Sequence, residues 1–266
     1  MKRILSFIAA LMVLSTSTFA QDFAKQRLEN SPRHQEWVAV KYGDRIVHSF
    51  LVFPEIEKKA TSVVVIHENR GLTDWVRSVA DQLAEAGYIA IAPDLLSGSG
   101  PQGGKTSDFA DSDAAREAIS DLSQEQVTAD LNAVADHVVK LPAANGKVAV
   151  AGFCWGGRQT FAFATNRKNL AAAFVFYGTG PDSINEASKI ACPVFGFYGG
   201  NDARVNATVP QTASLMKQAG KRFEPVTYDG AGHGFMRAGE EPNASEENRK
   251  AREQAWTRWK ELLKKI

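Results

Sequence analysis

The sequence predicts a doubly wound, mostly parallel α/β sheet with an N-terminal antiparallel hairpin, and three observations predict it. Short apolar runs recur along the chain with continuous rather than alternating hydrophobicity, as strands buried on both faces require. Capped or amphipathic helical stretches separate them, giving the strand–helix alternation of parallel sheets. The residues able to carry chemistry fall just after the ends of these runs, at the carboxyl edge where ligands bind such sheets.

Residues 1–20 carry Lys2 and Arg3, an apolar stretch from Ile4 to Leu14 and a small-residue ending Thr18-Phe19-Ala20. This is the layout of a secretory signal peptide, with cleavage expected after Ala20. The apolar stretch is shorter than the ~20 residues of a bilayer span. The expectation is therefore an exported, periplasmic or secreted protein with no membrane association after cleavage. Without Lys2 and Arg3 the chain keeps 29 of its 31 basic residues against 30 acidic ones, a formal charge of −1. That balance argues against nucleic acid as a partner. Residues 21–266 are expected to form a single α/β domain acting on a small molecule, as a monomer or weak homodimer.

Two strands open the domain, about Glu36 to Lys41 and Ile46 to Phe53, joined by the turn Tyr42-Gly43-Asp44-Arg45. Further strands are expected at Ser62 to His67, Tyr88 to Ala92, Lys147 to Ala151, Ala171 to Tyr177, Pro193 to Tyr198 and Arg222 to Tyr228. Residues 74–86 read as a helix ended by Gly87, the residue that best tolerates the left-handed turn there. Ser123-Gln124-Glu125-Gln126 is a capping box opening a helix to about Leu141, before Pro142. Helices also follow Cys154 and Asp202, and one closes the chain from about Ser245. The Gly-, Ser- and Asp-rich segment Leu95 to Asp113 is long for a connection and reads as a flap over the site.

Gly152-Phe153-Cys154-Trp155-Gly156-Gly157 follows the apolar run Val148 to Ala151 and has the form of a nucleophile elbow with cysteine at its centre. Asp202 follows in Gly199-Gly200-Asn201-Asp202 and His233 in Gly232-His233-Gly234-Phe235. The order nucleophile, acid, histidine is that of α/β-hydrolases. A thiol needs a base to become a thiolate, and an imidazole held by a carboxylate supplies one. His233 is the expected base and Asp202 its partner; a packed core cysteine is the blander reading of Cys154. Backbone amides of Trp155 and Asn69 are the expected donors to a tetrahedral oxyanion. Cys192 begins a strand whereas Cys154 ends one. A strand length of ~17–20 Å between those edges exceeds the ~7 Å reach of a disulfide.

Together with His67-Glu68-Asn69-Arg70-Gly71-Leu72, Ala92-Pro93-Asp94 and His233-Gly234-Phe235, the elbow resembles the dienelactone hydrolases over about residues 36–265. The resemblance implies an α/β-hydrolase fold and a Cys154-His233-Asp202 triad. It also implies a role for Glu68, which would pair with the resting thiol and be displaced by substrate. Arg237 matches one of two arginines that hold the substrate carboxylate in the family, and Tyr177 matches a pocket tyrosine. The second arginine is missing, since Leu96-Ser97-Gly98-Ser99 has no base, and Arg70 is the candidate substitute. Gly104-Lys105-Thr106 lacks the first glycine and the following helix of a phosphate loop. His67-Glu68 lacks the second histidine of a zinc signature, so neither metal nor cofactor is expected.

These readings converge on an exported hydrolase of ester or lactone bonds that works through an acyl-cysteine. The alternatives are a thioesterase or acyltransferase on the same triad, or a binding protein that kept the fold without turnover.

Overall fold

The computed structural model describes residues 22–266; the expected signal peptide and its cleavage point lie outside them. Eight strands form one mixed sheet in the order β1-β2-β4-β3-β5-β6-β7-β8. They are β1 (Gln35–Tyr42), β2 (Arg45–Val52), β3 (Ala60–Ile66), β4 (Ile89–Pro93), β5 (Ala144–Phe153), β6 (Ala173–Phe176), β7 (Val194–Gly199) and β8 (Phe223–Tyr228). The β1–β2 hairpin turns at Gly43, with φ +51°, and β2 runs antiparallel to β4. From β4 across to β8 every neighbouring pair is parallel.

The sheet is covered on both faces. One face packs against α1 (Asp22–Glu29), α2 (Asp74–Glu85) and α10 (Glu246–Leu263), and buries Trp75, Phe153, Phe174, Phe176, Phe197 and Trp259. The opposite face packs against α4 (Gln124–Val138), α5 (Trp155–Asn166), α6 (Ile184–Lys189) and α8 (Val209–Gln218). Register explains the aromatic floor. Phe153 pairs with Phe176 and Phe176 with Phe197 across three adjacent strands, so their side chains fall on the same face. The rings stack at 4.7 and 4.3 Å, and Trp259 meets Phe176 edge-on at 4.8 Å. Such pairs add ~0.5–1.5 kcal/mol each beyond area burial. They anchor the strand ends from which the site residues emerge.

Several local expectations change. β6 stops at Phe176 because Tyr177 takes φ +41°, a left-handed conformation that cannot continue a strand. Ser123 caps α4 by accepting from the Gln126 amide, but the Gln126 side chain donates to Tyr42 Oη and Asp130 instead of returning to Ser123. Only half of the capping box forms, because Asp130 is buried and also holds Arg45 at 2.8 Å.

The segment from Leu95 is no open flap in its first half. Leu95, Leu96 and Ser97 are fully buried, and Asp94 accepts from both the amide and the hydroxyl of Thr106. What reaches over the site is the next element, α3 (Ser112–Ser120), which the sequence reading had partly assigned to loop. Asp111 caps it by accepting from the amides of Asp113 and Ala114. Its apolar stripe, Ala115 and Ile119, packs on Leu96 and Trp155.

Candidate active site

Cys154 sits at the junction of β5 and α5 with φ 57° and ψ −114°. A non-glycine residue held there is strained, and neighbouring contacts must pin it. Its amide donates to the Phe176 carbonyl at 3.0 Å, tying the turn to β6. The glycines on either side are sterically required. A Cβ on Gly152 would overlap the Gly156 carbonyl, and one on Gly156 would overlap the carbonyls of Ile66 and His67. The elbow therefore lies directly against the end of β3, with Cys154 half-buried at the start of α5.

Asp202 and His233 come to the same place from β7 and β8. Asp202 is 6 % exposed, caps the short helix α7 (Ala203–Asn206) through the Val205 amide, and meets His233 Nδ1 with Oδ2 at 2.5 Å. The histidine loop is tethered at two points. Asn201 donates to the Gly230 carbonyl at 2.9 Å, and Asn248 of α10 accepts from the Gly232 amide at 3.0 Å. The imidazole is raised to about 9, first by the neighbouring Cys154 side chain, against desolvation, and then by Asp202. Tyr177 packs edge-on against the ring at 5.0 Å. Asp202 and His233 thus form a hydrogen-bonded pair, and the Cys154 side chain is near enough to the ring to influence its titration.

Asn69 and Trp155 line the same cavity as Cys154, a space of about 430 Å³. Neither amide donates to a backbone carbonyl among the described residues. Trp155 heads α5, where the first amides have no partner within the helix and the helix dipole favours negative charge. His67, which the sequence reading gave no role beyond the motif, braces both donors. Its ring stacks on Trp155 at 5.4 Å and 14°, Nδ1 lies 2.7 Å from the Glu68 carbonyl, and the Leu95 amide donates to Nε2 at 3.3 Å. Complete burial lowers its pKa, so the neutral ring donates from Nδ1 and accepts at Nε2.

Glu68 is 7 % exposed and is held by Arg237, which donates from Nε to Oε2 at 3.1 Å. The resemblance implied a partner in the thiol; here the carboxylate is paired with a guanidinium, the better match for a buried charge. Arg237 also holds Glu241 at 2.8 Å and does not line the cavity, nor does Arg70. Tyr177 does line it, 1 % exposed, with its hydroxyl free of any hydrogen-bond partner. Its pKa is pushed well up, first by burial and then by the Glu68 charge. Cys192 is buried and unbonded, its thiol pushed up to about 11 by desolvation.

The three charged residues of the cavity lay outside the sequence reading: Arg116 on α3, Arg158 on α5 and Arg204 on α7. Two of them carried a signal, since Arg158 lies one helical turn after Cys154 and Arg204 two residues after Asp202. Arg116 carried none, since residues 114–120 follow the segment read as a flap and stand next to no motif. A larger space of about 500 Å³ lies at the opposite edge of the sheet, near Lys147, Pro193 and Arg222, away from all of these groups.

Known proteins resemble this chain in sequence and in fold. A protein of Escherichia coli (strain K12), provisionally named carboxymethylenebutenolidase, is 33 % identical over 188 residues, 65 % of this chain and 66 % of that protein, just under two thirds of its length. The carboxymethylenebutenolidase of Pseudomonas putida is 28 % identical over 207 residues, 76 % of this chain and 86 % of that one. A crystal structure from Klebsiella pneumoniae, provisionally titled a dienelactone hydrolase, superposes with a TM-score of 0.76 at 25 % identity, covering 88 % of this chain and 99 % of that chain. The model of the dienelactone hydrolase family matches residues 47–266, a span holding every residue of the elbow, the Asp202–His233 pair and the Glu68 loop, and the chain belongs to that family.

Proposed function

We propose that the protein hydrolyses ester or lactone bonds of a small substrate through an acyl-cysteine on Cys154. The observation that carries this reading is the Asp202–His233 pair, its ring titration raised first by Cys154, together with the two unpartnered amides that line the cavity of Cys154. His233 takes the thiol proton, and the thiolate attacks the carbonyl carbon. The amides of Asn69 and Trp155 hold the oxyanion that forms, in a cavity where such donors are worth far more than in water. Collapse breaks the carbon–oxygen bond, and the proton on His233 passes to the departing alkoxide. In a lactone that oxygen stays attached to the acyl chain. Water then gives its proton to His233 and attacks the acyl-cysteine, and collapse returns the proton to sulfur and frees the acid. Asp202 keeps the ring oriented and stabilises its charged form.

Tyr177 closes the inner wall next to His233. Its free hydroxyl is a hydrogen-bond donor for the bound substrate. The composition of residues 1–20 supports export, with the mature chain beginning after Ala20 and remaining in the periplasm or medium.

The test is hydrolysis of a dienelactone, an aryl ester and a thioester by the protein and by Cys154→Ala, with intact-mass detection of an acyl adduct. The reading expects turnover of at least one compound and an adduct on Cys154, both lost in the variant. Turnover that survives in Cys154→Ala would overturn it. A thioester preferred over both oxygen esters would replace it with the thioesterase reading.

A further inference from the structure

We propose that Arg116, Arg158 and Arg204 form a subsite for a multiply charged anionic group, so that the preferred ester or lactone carries two or more negative charges remote from its scissile carbonyl. This rests on the hydrolase reading of Cys154 and specifies the substrate class of that site.

Arg116, Arg158 and Arg204, from three separate helices, line the cavity that also contains Cys154, and among the described residues no Asp or Glu lines it; Arg158 also borders a neighbouring cavity shared with Asp182 and Glu186. Local carboxylates compensate them weakly. Arg116 pairs with Asp113, whose side chain is 80 % exposed, and Arg158 with Asp182, 81 % exposed and at the long distance of 3.7 Å. Exposed pairs of this kind contribute little and are easily exchanged for a better anion. Arg204 has no ion-pair partner among the described residues, and the carboxylate nearest in sequence, Asp202, is committed to His233 and the Val205 amide. Arg204 therefore brings to the cavity a charge with no ion-pair partner among the described residues, while Arg116, at 2.7 Å from Asp113, and Arg158 are held by exposed carboxylates alone.

The arginine singled out by the resemblance is committed elsewhere. Arg237 is bound to Glu68 and Glu241 and does not line the cavity, whose arginines are the other three. A guanidinium holds one carboxylate or one face of a phosphoryl group through paired donors. Three such forks exceed what a single carboxylate can satisfy, and they match a dicarboxylate or a phosphoryl group. Ile119, Trp155 and Val205 supply apolar surface in the same cavity for the chain that links this group to the reacting carbonyl.

The test uses 4-nitrophenyl esters of butyrate, glutarate, tricarballylate and 4-phosphonobutyrate, whose acyl tails run from neutral to doubly charged. A separate arm measures alkylation of Cys154 by N-ethylmaleimide in the presence of tricarballylate or inorganic phosphate. The doubly charged tails are expected to raise kcat/KM about tenfold or more over butyrate, through charge-assisted hydrogen bonds. That ratio falls towards one in Arg204→Gln and in the Arg116→Gln, Arg158→Gln pair. Tricarballylate or phosphate slows alkylation in the wild type and not in these variants. The better of the two doubly charged tails distinguishes the dicarboxylate from the phosphoryl source. A butyrate ester preferred by the wild type, or a charge preference unchanged in the arginine variants, overturns the inference and leaves the hydrolase reading standing. Arginine-dependent protection of Cys154 with no ester turned over sustains the anion subsite and overturns the hydrolase reading.

Discussion

Arg237 holds Glu68 at 3.1 Å across 169 positions of sequence, and both side chains are largely withdrawn from water. The pair joins the loop after β3 to the short helix α9 (Phe235–Ala238) that follows His233. It fixes two of the motif segments of the site relative to each other.

Removing one partner of such a pair leaves the other buried and uncompensated. Arg237→Met is expected to destabilise the protein by about 3 kcal/mol, the range for a broken buried ion pair. Adding Glu68→Gln is expected to recover much of that loss, because the buried charge is then gone. Urea unfolding of both variants checks this; a double variant no more stable than Arg237→Met alone contradicts it.

The raised pKa of His233 has Cys154 as its first cause. Replacing that thiol in Cys154→Ala is expected to move the ring's titration midpoint down from about 9. The sign for stability follows from linkage. A ring that titrates higher in the folded state than in the unfolded chain stabilises the fold fully below about pH 6.5, the ordinary histidine value. The contribution fades as pH rises through about 9. Histidine ring NMR measures the midpoint, and the difference in melting temperature between wild type and His233→Gln should shrink from pH 6 to pH 10.

The elbow glycines face backbone atoms that cannot give way. Gly156→Ala places a methyl group on the carbonyls of Ile66 and His67, and a cost of about 3 kcal/mol or more is expected. Gly146 at φ +85° is the control, because a Cβ there meets nothing within 4 Å. Gly146→Ala should cost only the left-handed backbone penalty of about 1–2 kcal/mol. Thermal melts of the two variants side by side check the contrast.

His67 bears on the two proposed oxyanion donors through its stack on Trp155 and its contact with the Glu68 carbonyl. His67→Phe keeps an aromatic stack on Trp155 and strands the buried Leu95 amide, a loss of about 1–3 kcal/mol of stability. If the ring positions the donors, kcat falls about tenfold or more while KM changes little, since the interaction lost belongs to the transition state. An equal kcat in a folded, less stable variant would mean that the ring serves only the fold.

Much of this molecule was legible in its sequence. Continuous apolar runs fixed the strands because a strand covered on both faces has no polar side to show, and local spacing sufficed to identify them. The elbow, Asp202 and His233 stood out because backbone geometry demands glycine at the turn and because all three follow strand ends. The pairing of Glu68 with Arg237, the bracing of Trp155 by His67, the tethering of Asp94 to Thr106 and the meeting of Arg116, Arg158 and Arg204 in one cavity were decided only by the tertiary structure. Each joins residues whose direction depends on how helices pack on the sheet and where a chain leaves its strand. That information is absent from any local window: Tyr177 ends β6 early through its own backbone angle, and the stripe of α3 is understood only once Leu96 and Trp155 are beneath it.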